Sequence, residues 1–411
     1  MAQGSGGVTA RGRRSRRVPG GPLKVALIGT RGVPANYGGF ETAVEEVGRR
    51  LVERGHEVLV FCRSGTSQGS SHPTEYLGMK LVTLPALRKR SLETLSHTLL
   101  SVLHGPLGDT DAAIVFNAAN SPLIPVLRAR GIPCATHVDG LEWKRAKWGT
   151  VGRQYYRNAE SIAVRLSDAL IADAHGIADY YRTEFGAPTR LIAYGAPVNE
   201  HPVGNRLHEV GAAPGRYHLA VARFEPENQV LEVVSGYSRS GSRLPLMVVG
   251  SAPYSARYTR EVRNNADARV RFLGGVWDQE LLDQLYGNAS SYLHGHSVGG
   301  TNPSLLRAAG AGASVIAYDV PFNREVVGKN GLYFRTRDDV SWALATVESD
   351  PEAARARGNA LRDDIVRYSW DGVADEYEQL LRDLAESGPT PLSSHPSGLR
   401  RRSASPAGVG R

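Results

Sequence analysis

Short runs of β-branched and aliphatic residues alternate along most of this chain with stretches whose apolar residues recur every three or four positions. That alternation is what parallel strands joined by crossover helices require. In the first half the strand-like runs fall at 23–29, 56–62, 79–83, 112–116, 133–138, 169–173 and 190–193. In the second they fall at 217–222, 245–250, 270–273, 291–293, 314–318 and 331–334. Phe40, Val44, Val47 and Leu51 form one apolar stripe at helical spacing, directly after the first run. A polar stretch with Pro and Gly at 195–215 divides the halves, and an amphipathic segment at 370–385 has no strand behind it. The expected fold class is α/β: two doubly wound, Rossmann-like sheets in tandem, facing across a cleft with a hinge near residue 200. Ligands of such sheets bind at the carboxyl ends of the strands, so the cleft is the expected site.

A length of 411 residues suits two domains. The expected boundaries are a disordered basic tail at 1–21, a first domain at 22–197, a second at 198–368, a helix at 369–387 and a disordered tail at 388–411. The net charge of +8 belongs to the ends: five arginines lie in 1–22 and four in 388–411, and without those nine the remainder carries −1. A solvated tail is the plain reading, and no specific nucleic-acid partner is expected. Cys62 and Cys134 show neither disulfide nor zinc spacing, which fits a reducing cytosol. No apolar run reaches membrane-spanning length.

Five segments carry candidate chemistry. The loop 29–41 (GTRGVPANYGGFE) departs from the dinucleotide fingerprint, yet it sets Gly38 and Gly39 before a helix, with Arg31 and Asn36 in reach. Bare glycines let backbone N–H groups approach an anion or a sugar, although a tight turn with no ligand explains them equally well. The stretch 137–148 gathers His137, Asp139, Glu142, Lys144 and two tryptophans after a strand. Carboxylates suit sugar hydroxyls and indoles suit pyranose faces. In the second half Arg223 follows a strand, where a guanidinium could hold phosphate oxygens, and Gly250 marks another post-strand turn. The segment 294–312 (HGHSVGGTNPSLLRAAGAG) has His296, an open Gly299–Gly300 pair, Asn302 as N-cap and Pro303 as first helical residue. Donors of Thr301, Ser304 and their neighbours would then face the cleft, and a helix terminus contributes roughly 0.3–2 kcal/mol to holding an anion.

The strings IGTRGVPANYGGFET, VDGLEWKRAKW, ARFEPEN, GGTNPSLL and YDVPFNREVVG, in that order, resemble family 4 glycosyltransferases of the GT-B fold, more narrowly a bacterial polysaccharide, rhamnosyltransferase-like subgroup. The resemblance covers 23–386. It implies transfer of a sugar from a nucleotide diphosphate donor to a glycan or lipid-linked acceptor, with retention, no metal and no cofactor. It places the donor on the second domain, the acceptor on the first, and the last helix back on the first. Arg223 would hold the diphosphate, Val276 and Trp277 the nucleobase, and Gly300, Thr301, Asn302 and Ser304 the phosphate-facing helix start. His137 and Asp139 match the cluster contacting donor sugar or acceptor; Asp139, or failing it Glu142, is the candidate base. Three positions depart from the wider family. Asn228 stands where a lysine is common, and Gly299 and Arg307 stand where two glutamates are common. Arg307 leaves open a catalytically weak or inactive GT-B protein that binds nucleotide or glycan as a regulatory module, and a nucleotide-sugar epimerase shares the two-domain shape. A basic triplet and apolar-rich helix at 87–103 suggest either a core-facing helix or peripheral contact with a membrane.

Overall fold

The structure is a computed structural model describing residues 20–35, 38–64, 73–87, 93–138, 140–145, 148–198, 204–250 and 256–392. The first lobe carries β1 (Lys24–Ile28), α1 (Gly39–Glu53), β2 (Glu57–Arg63), β3 (Glu75–Tyr76), β4 (Met79–Leu84), α2 (Glu93–Leu103), β5 (Ala112–Phe116), α3 (Ile124–Ala129), β6 (Cys134–Val138), α4 (Thr150–Leu166), β7 (Ala169–Ala172), α5 (His175–Phe185) and β8 (Arg190–Leu191). The second carries β9 (His218–Val221), α6 (Val230–Arg239), β10 (Leu246–Val249), α7 (Ala256–Asn264), β11 (Val270–Gly274), α8 (Gln279–Gly287), β12 (Ser291–His294), α9 (Pro303–Gly310), β13 (Val315–Tyr318), α10 (Pro321–Val327), β14 (Leu332–Phe334), α11 (Arg337–Ser349) and α12 (Pro351–Ile365). A final helix, α13, spans Trp370–Ser387.

The sheets run β3-β4-β2-β1-β5-β6-β7-β8 and β11-β10-β9-β12-β13-β14. Every pairing is parallel except β3 with β4. Parallel strands are covered on both faces, and β5 shows the result: all of AAIVF is buried. The thirteen strand-like runs all form strands, with ends within two residues of expectation. The strand that the sequence pattern hides is β3. It closes a hairpin on Leu77 and Gly78, both at positive φ (49° and 75°). Left-handed φ is uncommon for leucine, so no turn signal announces it.

Strand order reverses between β1 and β5 in one sheet and between β9 and β12 in the other. Chain segments leaving those four strands therefore diverge and open a crevice in each lobe. After β12 (HGHSVGGTN) and after β9 (ARFEPEN), the sequence places its polar segments at such a crevice. One apolar cluster joins Val44, Val47 and Leu51 of α1 to Trp370, Tyr377, Leu380, Leu381 and Leu384 of α13. Ion pairs of Arg54 with Asp375 (2.6 Å) and Glu378 (3.0 Å) fasten the same two helices.

Candidate functional site

The first wall of the cleft begins at β1. Gly29 has φ +100°, and a Cβ there would lie 2.4 Å from the Phe116 carbonyl oxygen, so glycine is required. The loop that follows is held by α1's own carboxylates: the Arg31 N–H donates to Glu41 (3.0 Å) and the Ala35 N–H to Glu45 (2.6 Å). Sequence reasoning missed both glutamates, because nothing marks an i+10 contact in a pattern. Asn36 lies outside the described residues. Gly38 is the extended N-cap of α1, and Gly39 faces the other lobe: a Cβ there would meet Pro303 Cγ at 3.1 Å.

His137, on β6, is 1% exposed and sits among rings, 5.1 Å from Phe40, 5.5 Å from Phe116 and 6.0 Å from Tyr194 between centroids. Burial pushes it down to about 3, which keeps the imidazole neutral. Its Nδ1 is buried without a partner among the described residues. Asp139 lies outside the described residues, but Gly140 beside it presses on the second lobe: a Cβ would lie 2.3 Å from Gly299 Cα. Glu142 is buried and engaged. The Trp148 indole donates to it at 3.1 Å, and Arg145 Nε stands 2.6 Å from its other oxygen. Arg145 in turn reaches buried Glu227 of the second lobe at 3.9 Å. The tryptophans are occupied as well. Trp143 has Arg157 over its ring at 5.0 Å, and Trp148 packs on Tyr156 at 5.0 Å. The indoles expected to meet a sugar pack instead on first-lobe neighbours, and Arg145 makes the contact that crosses to the second lobe.

The second wall is built at the β9/β12 crevice. Arg223 leaves β9 exposed, and its guanidinium donates no hydrogen bond to, and forms no ion pair with, a described residue. Asn228, at the position of the missing lysine, donates to the Arg223 carbonyl at 2.8 Å and so shapes the turn. Gly250 is required beside it, since a Cβ would lie 1.9 Å from the Ala222 carbonyl oxygen. His294 and His296 stack at 4.6 Å between centroids. Burial holds His294 at about 3; burial, His294, Arg223 and Arg145 hold His296 well below its ordinary range. The positive charge of Arg223 and Arg145 is thus felt at one spot between the lobes.

The segment after β12 then crosses to the first lobe. No hydrogen bond ties the Gly299 or Gly300 N–H to a described residue. Thr301 Oγ1 donates to the Asp173 carbonyl at 2.5 Å, and a Cβ on Gly300 would lie 1.9 Å from Asp173 Oδ1. Asn302 caps α9 by accepting the Ser304 N–H at 3.0 Å. That bond takes up the Ser304 donor expected to face the cleft, and the Ser304 hydroxyl is taken by Asn302 as well (2.7 Å). What α9 presents is its dipole, preceded by two glycine amides that have no hydrogen-bond partner among the described residues. Val276 packs half-buried against the core and Trp277 stands 65% exposed, both on the loop before α8. Arg307 points to α8, donating to Asp283 (2.7 Å) and Gln279 (2.6 Å), so its fork is filled within the lobe.

Asp173, at the carboxyl end of β7, was absent from the sequence candidates. It is 4% exposed, and its Oδ1 has no hydrogen-bond partner among the described residues. Burial, aided by Glu325, pushes it up to about 7. Only its position after a strand hinted at it. Asp109-Thr110-Asp111 has Asp-x-Asp spacing. It lies at the opposite, amino-terminal edge of the first sheet, where Asp111 accepts the Lys24 N–H at 2.7 Å, remote from the cleft.

Comparison with known proteins agrees with this architecture. Residues 38–196 match the glycosyl transferase 4-like domain and residues 216–349 the glycosyl transferases group 1 domain. A curated relative, the GtfA subunit of a UDP-N-acetylglucosamine–peptide N-acetylglucosaminyltransferase from Limosilactobacillus reuteri subsp. suis, is 27% identical over 200 residues, 46% of this chain. That match spans only 36% of the relative's length. Sucrose-phosphate synthase from Thermosynechococcus elongatus superposes with a TM-score of 0.76 at 20% identity, covering 89% of this chain and all of the other. Anabaena HepE in complex with UDP-glucose gives 0.68 at 15% identity, covering 88% and 100%. The two domain matches together span more than half of the chain, one on each lobe, and the chain belongs to the GT-B glycosyltransferases.

Proposed function

We propose that this glycosyltransferase, working in the cytoplasm, takes a sugar from a nucleotide diphosphate donor and delivers it to a hydroxyl of a glycan or lipid-linked acceptor in cell-surface polysaccharide synthesis, rhamnose being one candidate sugar. The observation that carries the donor reading is Arg223: an exposed guanidinium with no partner among the described residues, at the β9/β12 crevice that the Gly299–Gly300 segment and the N-terminus of α9 also border. UDP-glucose bound to HepE supports the same donor class.

In this reading the departing diphosphate gathers negative charge between Arg223, the Gly299–Gly300 amides and the dipole of α9, which lower the barrier by preorganised electrostatics. Val276 and Trp277 hold the base. Neutral His137 donates or accepts a hydrogen bond to the sugar from a dry wall, and the loop of Arg31, Asn36, Gly38 and Gly39 borders the acceptor. Glu142, clamped by Arg145 and Trp148, positions the lobes, which leaves proton removal to Asp139 or to the leaving phosphate itself. A retaining, metal-independent transfer uses these groups alone. Calorimetry of the full chain against UDP, GDP and dTDP, followed by nucleotide release from the matching sugar donors, tests the proposal. Heat and release that vanish in Arg223→Ala support it; no heat with any nucleotide overturns it.

The filled fork of Arg307 favours a second reading, nucleotide binding without transfer. Nucleotide binding with no release from any sugar donor would select it.

A further inference from the structure

Arg145 belongs to the first lobe, but its charge lies in the wall built by the second. Its Nη1 stands 3.9 Å from Glu227 Oε1, and its positive charge helps hold the buried imidazole of His296 well below its ordinary range. Those two neighbours sit on different segments of the crevice, the turn after β9 and the segment after β12. The segments are stitched side by side, because the Glu227 carbonyl accepts both the Ser297 N–H (2.8 Å) and the Ser297 hydroxyl (2.9 Å). Arg145 therefore ends at their junction, where the charge of Arg223 is also felt. Like charges felt at one buried spot repel each other, and an anion lying between them removes the penalty. Asn228, next to Glu227, adds no charge there; its amide donates to the Arg223 carbonyl.

We propose that Arg145 is a second diphosphate-binding residue, supplied by the first lobe, so that guanidinium groups of both lobes share the negative charge of the leaving group. A guanidinium carries five N–H donors in a planar fork. Its Nε is turned to Glu142 at 2.6 Å, while the Nη1 end meets Glu227 only at the outer limit of an ion pair and the side chain is still 20% exposed. Glu142, itself braced by the Trp148 indole, thus aims the fork, and phosphate oxygens can take its far end. Glu227 is buried, with neither carboxylate oxygen in a hydrogen bond to a described residue, and its charge keeps that end in the crevice before the donor arrives. Charge neutralisation and lobe closure then become one event: an open molecule offers the diphosphate one guanidinium, a closed one two.

The inference rests on the nucleotide diphosphate donor proposed above and deepens it. Calorimetry of the full chain compares whichever of UDP, GDP and dTDP gives heat with the corresponding monophosphate, and melting curves on the same samples confirm that each variant is folded. Arg145→Gln should weaken the diphosphate by about tenfold and the monophosphate by less than about twofold. Asn228→Lys, added to Arg145→Gln, should return most of that loss, because it places a cation one residue from Glu227. Should Arg145→Gln melt below the assay temperature, Arg145→Lys, which keeps the charge but not the fork, should still cost about threefold with the same selectivity. A residue that merely fastens the lobes predicts otherwise: equal losses on mono- and diphosphate, and no recovery with Asn228→Lys. Either result, or a diphosphate affinity untouched by both Arg145 variants, overturns the proposal while the donor reading stands. No heat from the parent chain with any of the three diphosphates overturns both.

Discussion

A guanidinium that stands exposed without a described partner loses little on replacement in the free protein and much in the bound one. Arg223→Ala should leave the melting temperature unchanged and weaken nucleoside diphosphate binding by about 10–100-fold, since a charge-assisted hydrogen bond contributes roughly 1.5–3 kcal/mol. Calorimetry and a melting curve on the same sample separate the two effects. Asp173 makes the opposite case, a carboxyl whose proton is held by burial. The unfolded chain releases that proton near 3.8 and the folded protein near 7, so stability falls as pH rises between those values and levels off above. Asp173→Asn should therefore be more stable than the parent by about 4 kcal/mol at pH 8, the gap closing toward pH 4; denaturant melts at several pH values read it. The contrast shows what a sequence discloses. Arg223 and the glycines could be found because a strand end and a helix cap frame them. Asp173, Glu41 and Glu45 could not, because their partners are set by how loops meet in space.

Among elements, the lobes touch where side chains are missing: Gly39 on Pro303, Gly140 on Gly299, Gly300 on Asp173. Gly140→Ala should fold, because φ there is not left-handed, yet hold the lobes apart. Overpacking of this kind costs about 1–3 kcal/mol, enough to lower kcat/KM by roughly 5–150-fold while scattering reports a larger radius of gyration. Asn302→Ala tests the neighbouring cap. Losing it should cost about 0.5–2 kcal/mol of stability, seen as a lower denaturant midpoint. The Asn302–Pro303 start of α9 and the strand runs were legible because cap chemistry and burial write themselves into local sequence. The β3 hairpin was not, since Leu77 occupies a backbone region that its residue type argues against. Nor was the outward turn of Leu99, Leu100 and Leu103 on α2, which the sequence leaves open between core and surface until Arg63 is seen to claim the polar side.

Over the whole molecule, α13 decides whether two lobes behave as one. Trp370 is buried against Gly195, where a Cβ would lie 2.2 Å from the indole, and the Ala196 N–H donates to the Tyr368 carbonyl at 2.6 Å. Trp370→Ala should cost about 3–5 kcal/mol and split a single calorimetric transition into two, one per lobe. The doubly wound plan of each half was plain from rhythm alone. The closed arrangement was not, because it rests on backbone contacts between segments far apart in the chain. The return of α13 also sets a schedule for biosynthesis. The lobe translated first waits for nearly the last helix to leave the ribosome before Leu51 and its neighbours are covered. A truncated transcript ending before Trp370 would therefore yield an early lobe with an open greasy flank, a substrate for chaperones and proteases rather than a smaller working enzyme.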